Sequence, residues 1–192
     1  LCYHIEKNWD KIKNHMKKSP ISISRPCFPI IRQKQKRSFD VVKDNVNFEQ
    51  EIALRSTEFR HMLRADISRY YDTIYTHSIS WALHGKAIAK RERNNQSFFG
   101  NDLDRCMRGT RDGQTIGIPI GPDSSAIIAE IIATAVDLEL QRQLDGSLKG
   151  LRIIDDYFLF FHDLHAAEEA LIKLHKIFKN FELEVNPNKI KI

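Results

Sequence analysis

The sequence predicts an α+β domain, a small antiparallel sheet with helices packed on one face. Three observations lead there. Leu151 to Phe161 sets two adjacent carboxylates, Asp155 and Asp156, between two runs of β-branched and aromatic residues, the pattern of a β-turn-β hairpin. Leu63 to Asp66 is a second short apolar strand that ends in a carboxylate. Between them, Gly117-Ile118-Pro119-Ile120-Gly121-Pro122 is a glycine and proline turn that opens a long apolar helix.

In chain order, Ile5, Trp9, Ile12 and Met16 share one face of a predicted amphipathic helix over residues 4–18, ended near Pro20. From Pro20 to Asp40 apolar and basic residues alternate, with Ile21, Ile23, Phe28, Ile30 and Ile31 as strand candidates. Residues 47–62 read as a helix beneath the sheet, and the Asp66 strand follows. A helix is expected from His77 to about Lys90, with Trp81 and Leu83 in the core, then a polar loop over 91–96 and a short helix from Asp102 to Arg108. The helix after the glycine turn runs through Ile127, Ile128, Ile131, Ile132 and Ala135, with Asp123 or Ser124 as its cap and Glu130 paired to a basic neighbour. After the hairpin, Asp163 caps a helix whose apolar positions are Ala167, Ala170, Leu171, Leu174, Ile177, Phe178 and Phe181, and Leu183 to Ile192 reads as a final strand.

Bulk properties bound the function. A chain of 192 residues with 42% hydrophobic and 29% charged residues suits one domain with a working core. No apolar run approaches the roughly 20 residues that span a bilayer, and no secretory signal opens the chain. Cytoplasm, without membrane contact, is the expected compartment. Cys2, Cys27 and Cys106 lack the close spacing of zinc or redox pairs. The formal charge is +5, and Lys11, Lys13, Lys17, Lys18, Arg25, Arg32, Lys34, Lys36 and Arg37 concentrate the basic residues before position 40. Such a field suits a polyanion, and equally a solvated surface.

Adjacent carboxylates repel unless a cation neutralises them. Taken alone, the Asp155 and Asp156 pair is more often an ordinary polar hairpin tip. In the order strand with Asp66, glycine turn with helix, and Asp-Asp hairpin, the chain resembles motifs A, B and C of the reverse transcriptase palm. Leu183-Glu184-Val185-Asn186-Pro187-Asn188-Lys189 resembles that family's motif D. The resemblance covers about residues 60–192. The phrases Tyr75 to Lys86 and Gly117 to Asp123 are most similar to bacterial antiphage reverse transcriptases of the abortive-infection and "unknown group" type.

The resemblance implies a right-hand polymerase palm over 61–192 and partial fingers with the N-terminal helix over 1–60. It implies a nucleotidyltransferase that makes DNA on an RNA template from deoxynucleoside triphosphates with two Mg²⁺ ions, or Mn²⁺ in their place. Asp66, Asp155 and Asp156 would be catalytic, and the metal ligands would be these three carboxylates with the backbone carbonyl of Ile67. Tyr71 would be the steric gate that excludes a 2′-hydroxyl, Ile120 and Gly121 would face the nucleotide, and Lys189 would meet the departing pyrophosphate. Lys191 takes that part if the register slips by one residue. Ile120 stands where many relatives carry glutamine, which puts copying fidelity in question. Arg32, Lys34 and Arg37 are candidates for a triphosphate grip. The sequence stops after motif D, so a thumb is expected to be lacking, either because the chain is a fragment or because a partner protein or RNA supplies thumb or primer functions. Template-independent or protein-primed synthesis by the same site, a non-catalytic nucleic-acid-binding assembly subunit, and a metal-dependent phosphohydrolase are the competing readings.

Overall fold

A computed structural model describes residues 1–27, 40–41 and 48–192 of the chain. The strand candidates Phe28, Ile30 and Ile31 and the basic residues Arg32, Lys34 and Arg37 lie outside the described residues. The N-terminal amphipathic stretch forms two helices rather than one, α1 (Cys2–Lys7) and α2 (Trp9–Met16), broken at Asn8, whose φ of −111° and ψ of 17° leave the helical region. Ile5, Ile12 and Met16 are nevertheless buried in the main core, as the 3.6-residue period requires. A two-residue ribbon pairs β1 (Pro26–Cys27) with β2 (Asp40–Val41). The helix predicted over 47–62 is shorter, α3 (Phe48–Ser56).

The central sheet has the order β3-β5-β4, with β3 (His61–Asp66), β4 (Gly150–Ile153) and β5 (Asp156–Phe161) all antiparallel. Alternation along β5 divides its faces. Tyr157 and Leu159 join Leu63 and Ala65 in the main core, while Phe158 and Phe160 join Leu151 in a smaller cluster with Ile23, Phe48, Ile52 and Phe59. Thus α3 gives the second face its own short cover.

The segment after β3 carries α4 (Tyr70–Thr73), α5 (Ser78–His84), α6 (Lys86–Arg91) and α7 (Phe99–Gly109). The single helix expected from His77 to Lys90 is split at Gly85, whose φ of 85° a helix cannot contain. Trp81 is 7% exposed and Leu83 packs against the core, as expected. The long helix α8 (Asp123–Gln143) is buried along most of its length, and Pro122 rather than Asp123 or Ser124 takes its cap position. Asp123 instead opens the first turn, where its charge suits the helix dipole. α9 (Leu164–Asn180) starts at Asp163, whose carboxylate accepts the Ala166 backbone N–H at 2.8 Å. Its buried residues Ala167, Ala170, Leu174, Ile177 and Phe178 face the sheet core.

The final segment differs most from expectation. In place of a motif D strand it forms a 3₁₀ turn, Pro187–Lys189, flanked by isolated bridges Ile67 to Val185 and Arg64 to Lys191. Pro187 lacks an N–H for a ladder, and the Asn186 side chain accepts the Asn188 N–H at 3.2 Å, so local turn chemistry wins. Among the described residues no helix is long and apolar enough to cross a membrane.

Candidate metal centre

Register builds the site. In the β3-β5 ladder Asp66 is the direct cross-strand partner of Asp156, and Ile153 pairs with Asp156 on the other side. That leaves Ile154 and Asp155 as a two-residue turn at the sheet edge. One ligand oxygen from each of Asp66, Asp155 and Asp156 lies within 4.8 Å of the others. The carboxylates from positions 66 and 155 that the sequence paired are therefore brought together, with Asp156 beside them.

Like charges placed directly opposite in a sheet destabilise it, so this arrangement calls for a cation. Three features match one. Burial first, then the charges of Asp66 and Asp156, push the Asp155 carboxyl up to about 6. Among the described residues Asp156 Oδ1 is buried with no hydrogen-bond donor, and Arg64 Nη2 lies 3.6 Å from it. All donors are hard oxygens, the set that Mg²⁺ or Mn²⁺ prefers. The residues present thus fit divalent-ion binding by Asp66, Asp155 and Asp156. The Ile67 backbone is held against the same turn, since its N–H donates to the Asp155 carbonyl at 3.3 Å.

Lys189 reaches the centre although its strand does not form. Its ammonium donates to Asp66 Oδ2 at 2.6 Å, and this bond raises its proton affinity. Asn186, which the sequence did not single out, donates to Asp66 Oδ1 at 3.1 Å, and its backbone N–H donates to the Asp66 carbonyl at 2.8 Å. Asp66 is 3% exposed, so these donors stand where water would otherwise be. Lys191 is engaged elsewhere through backbone bonds with Arg64.

Tyr70 lies in the core, and Tyr71 is partly buried against it. Tyr70 is 2% exposed and its hydroxyl donates to the Ala129 carbonyl at 2.7 Å. Tyr71 is half-buried, and its carbonyl accepts the Ile118 N–H at 2.8 Å, tying α4 to the glycine turn. Gly117 has φ of 83° and sits so close that a Cβ would lie 3.0 Å from the Asp72 carbonyl and collide with Arg111. Gly121 has φ of 112°, and the Ile120 side chain between them is 73% exposed. Ile120 therefore projects from the turn with no packing role.

Behind the hairpin lies a buried ionic cluster. Arg152, fully buried on β4, donates from Nε to both oxygens of Asp137 at 3.0 and 2.9 Å. Its Nη1 and Nη2 donate to Glu130 Oε2 and Oε1 at 3.0 and 2.9 Å. Ser19 and Ser22 donate to Asp137 and Glu130 at 2.6 and 2.5 Å. Burial opposes charge on the guanidinium, but Asp137 and Glu130 outweigh it and hold Arg152 protonated. The predicted pairing of Glu130 is thus met by Arg152. Asp137 was invisible because it reads as one more polar position on a helix.

The cluster touches the site. Arg152 Nη1 also donates to the Ile154 carbonyl at 2.8 Å, and the Ile154 N–H donates to Ser24 Oγ at 2.7 Å. Ile154 has φ of 55°, a strained conformation for a β-branched residue. Bonds on both its peptide groups hold the turn that presents Asp155.

Comparison with known proteins agrees with this geometry. The family described as Reverse transcriptase (RNA-dependent DNA polymerase) matches residues 5–192. Among solved structures, apo telomerase from Candida tropicalis, truncated from its C-terminal domain, is similar at 13% identity with a TM-score of 0.56. That alignment covers 100% of this chain and 40% of the telomerase chain, and at such identity it shows the fold alone. No curated protein matches.

Proposed function

The chain belongs to the reverse transcriptase (RNA-dependent DNA polymerase) family, and we propose that it extends DNA on an RNA template from deoxynucleoside triphosphates. The observation that carries this reading is the convergence of Asp66, Asp155 and Asp156 oxygens within 4.8 Å. When bound there, a pair of divalent ions, Mg²⁺ or Mn²⁺, would lower the pKa of a primer 3′-hydroxyl and neutralise charge on the leaving pyrophosphate. The chain's own residues do the remaining work. Asp66, Asp155 and Asp156 would hold the ions, with the Ile67 carbonyl as a further ligand. Lys189, already beside Asp66, supplies a positive charge for the leaving group. Tyr71 acts as the gate against ribonucleotides, and Ile120 with Gly121 borders the nucleotide.

The phrases Tyr75 to Lys86 and Gly117 to Asp123 support placement among bacterial antiphage enzymes, acting in the cytoplasm. The chain spans 40% of the length of the telomerase chain it matches. We assign residues 1–60 to partial fingers and 61–192 to the palm. Incorporation of labelled deoxynucleotides by wild type and by Asp155→Asn, with and without an RNA template, tests the reading. Equal incorporation by both proteins would exclude the catalytic assignment, and template-independent incorporation would redirect it to untemplated synthesis by the same site.

A further inference from the structure

Away from the aspartates, a cavity of about 770 Å³ opens between α5, α6 and α7. Its size lies within the roughly 300–1,000 Å³ range of ligand clefts. Its wall carries four cations, Lys90, Arg93, Arg105 and Arg108, against two carboxylates, Asp102 and Asp104. The carboxylates are already spent. Asp102 accepts from Arg105 at 2.6 Å, and Asp104 is bonded by Arg108 at 3.2 Å and by His77 Nδ1 at 2.5 Å. Lys90 and Arg93 are both exposed and have no carboxylate partner among the described residues. The cavity therefore presents a surplus of positive charge over carboxylate among the described residues, with the Lys90 ammonium also 5.6 Å from the Trp81 ring centroid.

An aromatic platform adjoins those charges. Tyr75 is half-buried, with its ring centroid 5.4 Å from Trp81 and 4.9 Å from His77, both edge-on. Edge-on packing against these neighbours fixes the position of the Tyr75 ring. The exposed amides of Asn94 and Gln96 add hydrogen-bond donors and acceptors at the rim. Cations for phosphate, an aromatic face for a base and amides for its edges are the parts of a single-strand binding groove.

The wall also runs directly into the glycine turn. Tyr75 forms an antiparallel bridge with Ile116, and the Thr76 N–H donates to the Thr115 carbonyl at 2.8 Å. A polymer lying along the turn would reach the cavity, which favours a strand over a free nucleotide. We propose that this cavity is a second binding site for single-stranded nucleic acid, separate from the metal centre, with Tyr75 stacking a base and Lys90 and Arg93 holding its phosphates. The proposal does not depend on polymerase activity.

The test uses oligo-uridine and oligo-thymidine in EDTA, so that the metal centre is silent, with Lys90→Gln/Arg93→Gln as the variant. Both side chains are exposed, so the variant should fold as wild type, which circular dichroism checks. Loss of two phosphate contacts should weaken binding by about tenfold or more at low salt and flatten the slope of log affinity against log salt by about 1.4. Photocrosslinks from 4-thio-substituted oligonucleotides should map to the segments holding Tyr75 and Arg93, and should persist in Asp155→Asn. Unchanged affinity and slope, crosslinks confined to other segments, or binding of mononucleotide alone would overturn the proposal.

Discussion

Replacing Arg152 with methionine should cost more stability than any exposed charge in the chain. The guanidinium is fully buried and serves Asp137, Glu130 and the Ile154 carbonyl with five hydrogen bonds. Without it, two carboxylates remain inside the core, with Ser19 and Ser22 as hydroxyl donors. Breaking a buried ion pair by removing one partner costs about 3–5 kcal/mol. At about 2–4 °C per kcal/mol for a chain of this size, Tm should fall by roughly 6–20 °C. The sign of the pH dependence follows. Stripped of its cation, Asp137, whose carboxyl burial already pushes up, binds its proton more tightly folded than unfolded. The fold then keeps its stability below the unfolded carboxylate range and loses it as pH rises through the raised value. The deficit against wild type should be small near pH 5 and grow toward pH 8, read by urea denaturation at each pH. Substituting all three residues with apolar side chains should recover most of the loss. A deficit under about 1 kcal/mol at pH 8, or one independent of pH, would refute the view that the cluster is held together by charge. Because Arg152 also anchors the strained Ile154 turn, divalent affinity should fall in the same variant.

The metal centre makes its own predictions. Since the Asp155 carboxyl is pushed up to about 6, its proton stabilises the ion-free fold below the unfolded carboxylate range, and that contribution disappears as pH rises through about 6. Divalent binding must displace the same proton, so Mn²⁺ affinity by calorimetry should climb between pH 5 and 7. A flat profile would contradict the shift. Tyr71→Ala should raise ribonucleotide incorporation relative to deoxynucleotide, whereas unchanged sugar selectivity would remove Tyr71 as the gate. Ile120→Gln should change the misincorporation rate without altering Tm, because the side chain is exposed and unpacked; an identical error spectrum would detach Ile120 from the nucleotide.

Some of this was legible early because it depends on local chemistry. The Asp155 hairpin, the Asp66 strand and the Asp163 cap each follow from period-two alternation or a side chain that reaches its own backbone, and each appears in the structure. The helix breaks at Asn8 and Gly85 leave no mark in the sequence pattern, because apolar periodicity runs across both without interruption. The final strand failed for a related reason. Asn186 and Pro187 favour a turn, and that turn still delivers Lys189 to Asp66.

By itself the order of residues determined the parts: which carboxylates end strands, where the chain turns, and which positions are apolar at helical or strand spacing. Those are short-range properties of the backbone and its side chains. Tertiary structure decided how the parts meet. Only the β3-β5 register makes Asp66 and Asp156 neighbours, and only the packing of α8 beneath β4 gives Arg152 its two carboxylates. Such pairings join residues 15 to 123 positions apart, a separation over which no local preference acts. The free energy of burial sets them, and it is defined only once the chain has closed.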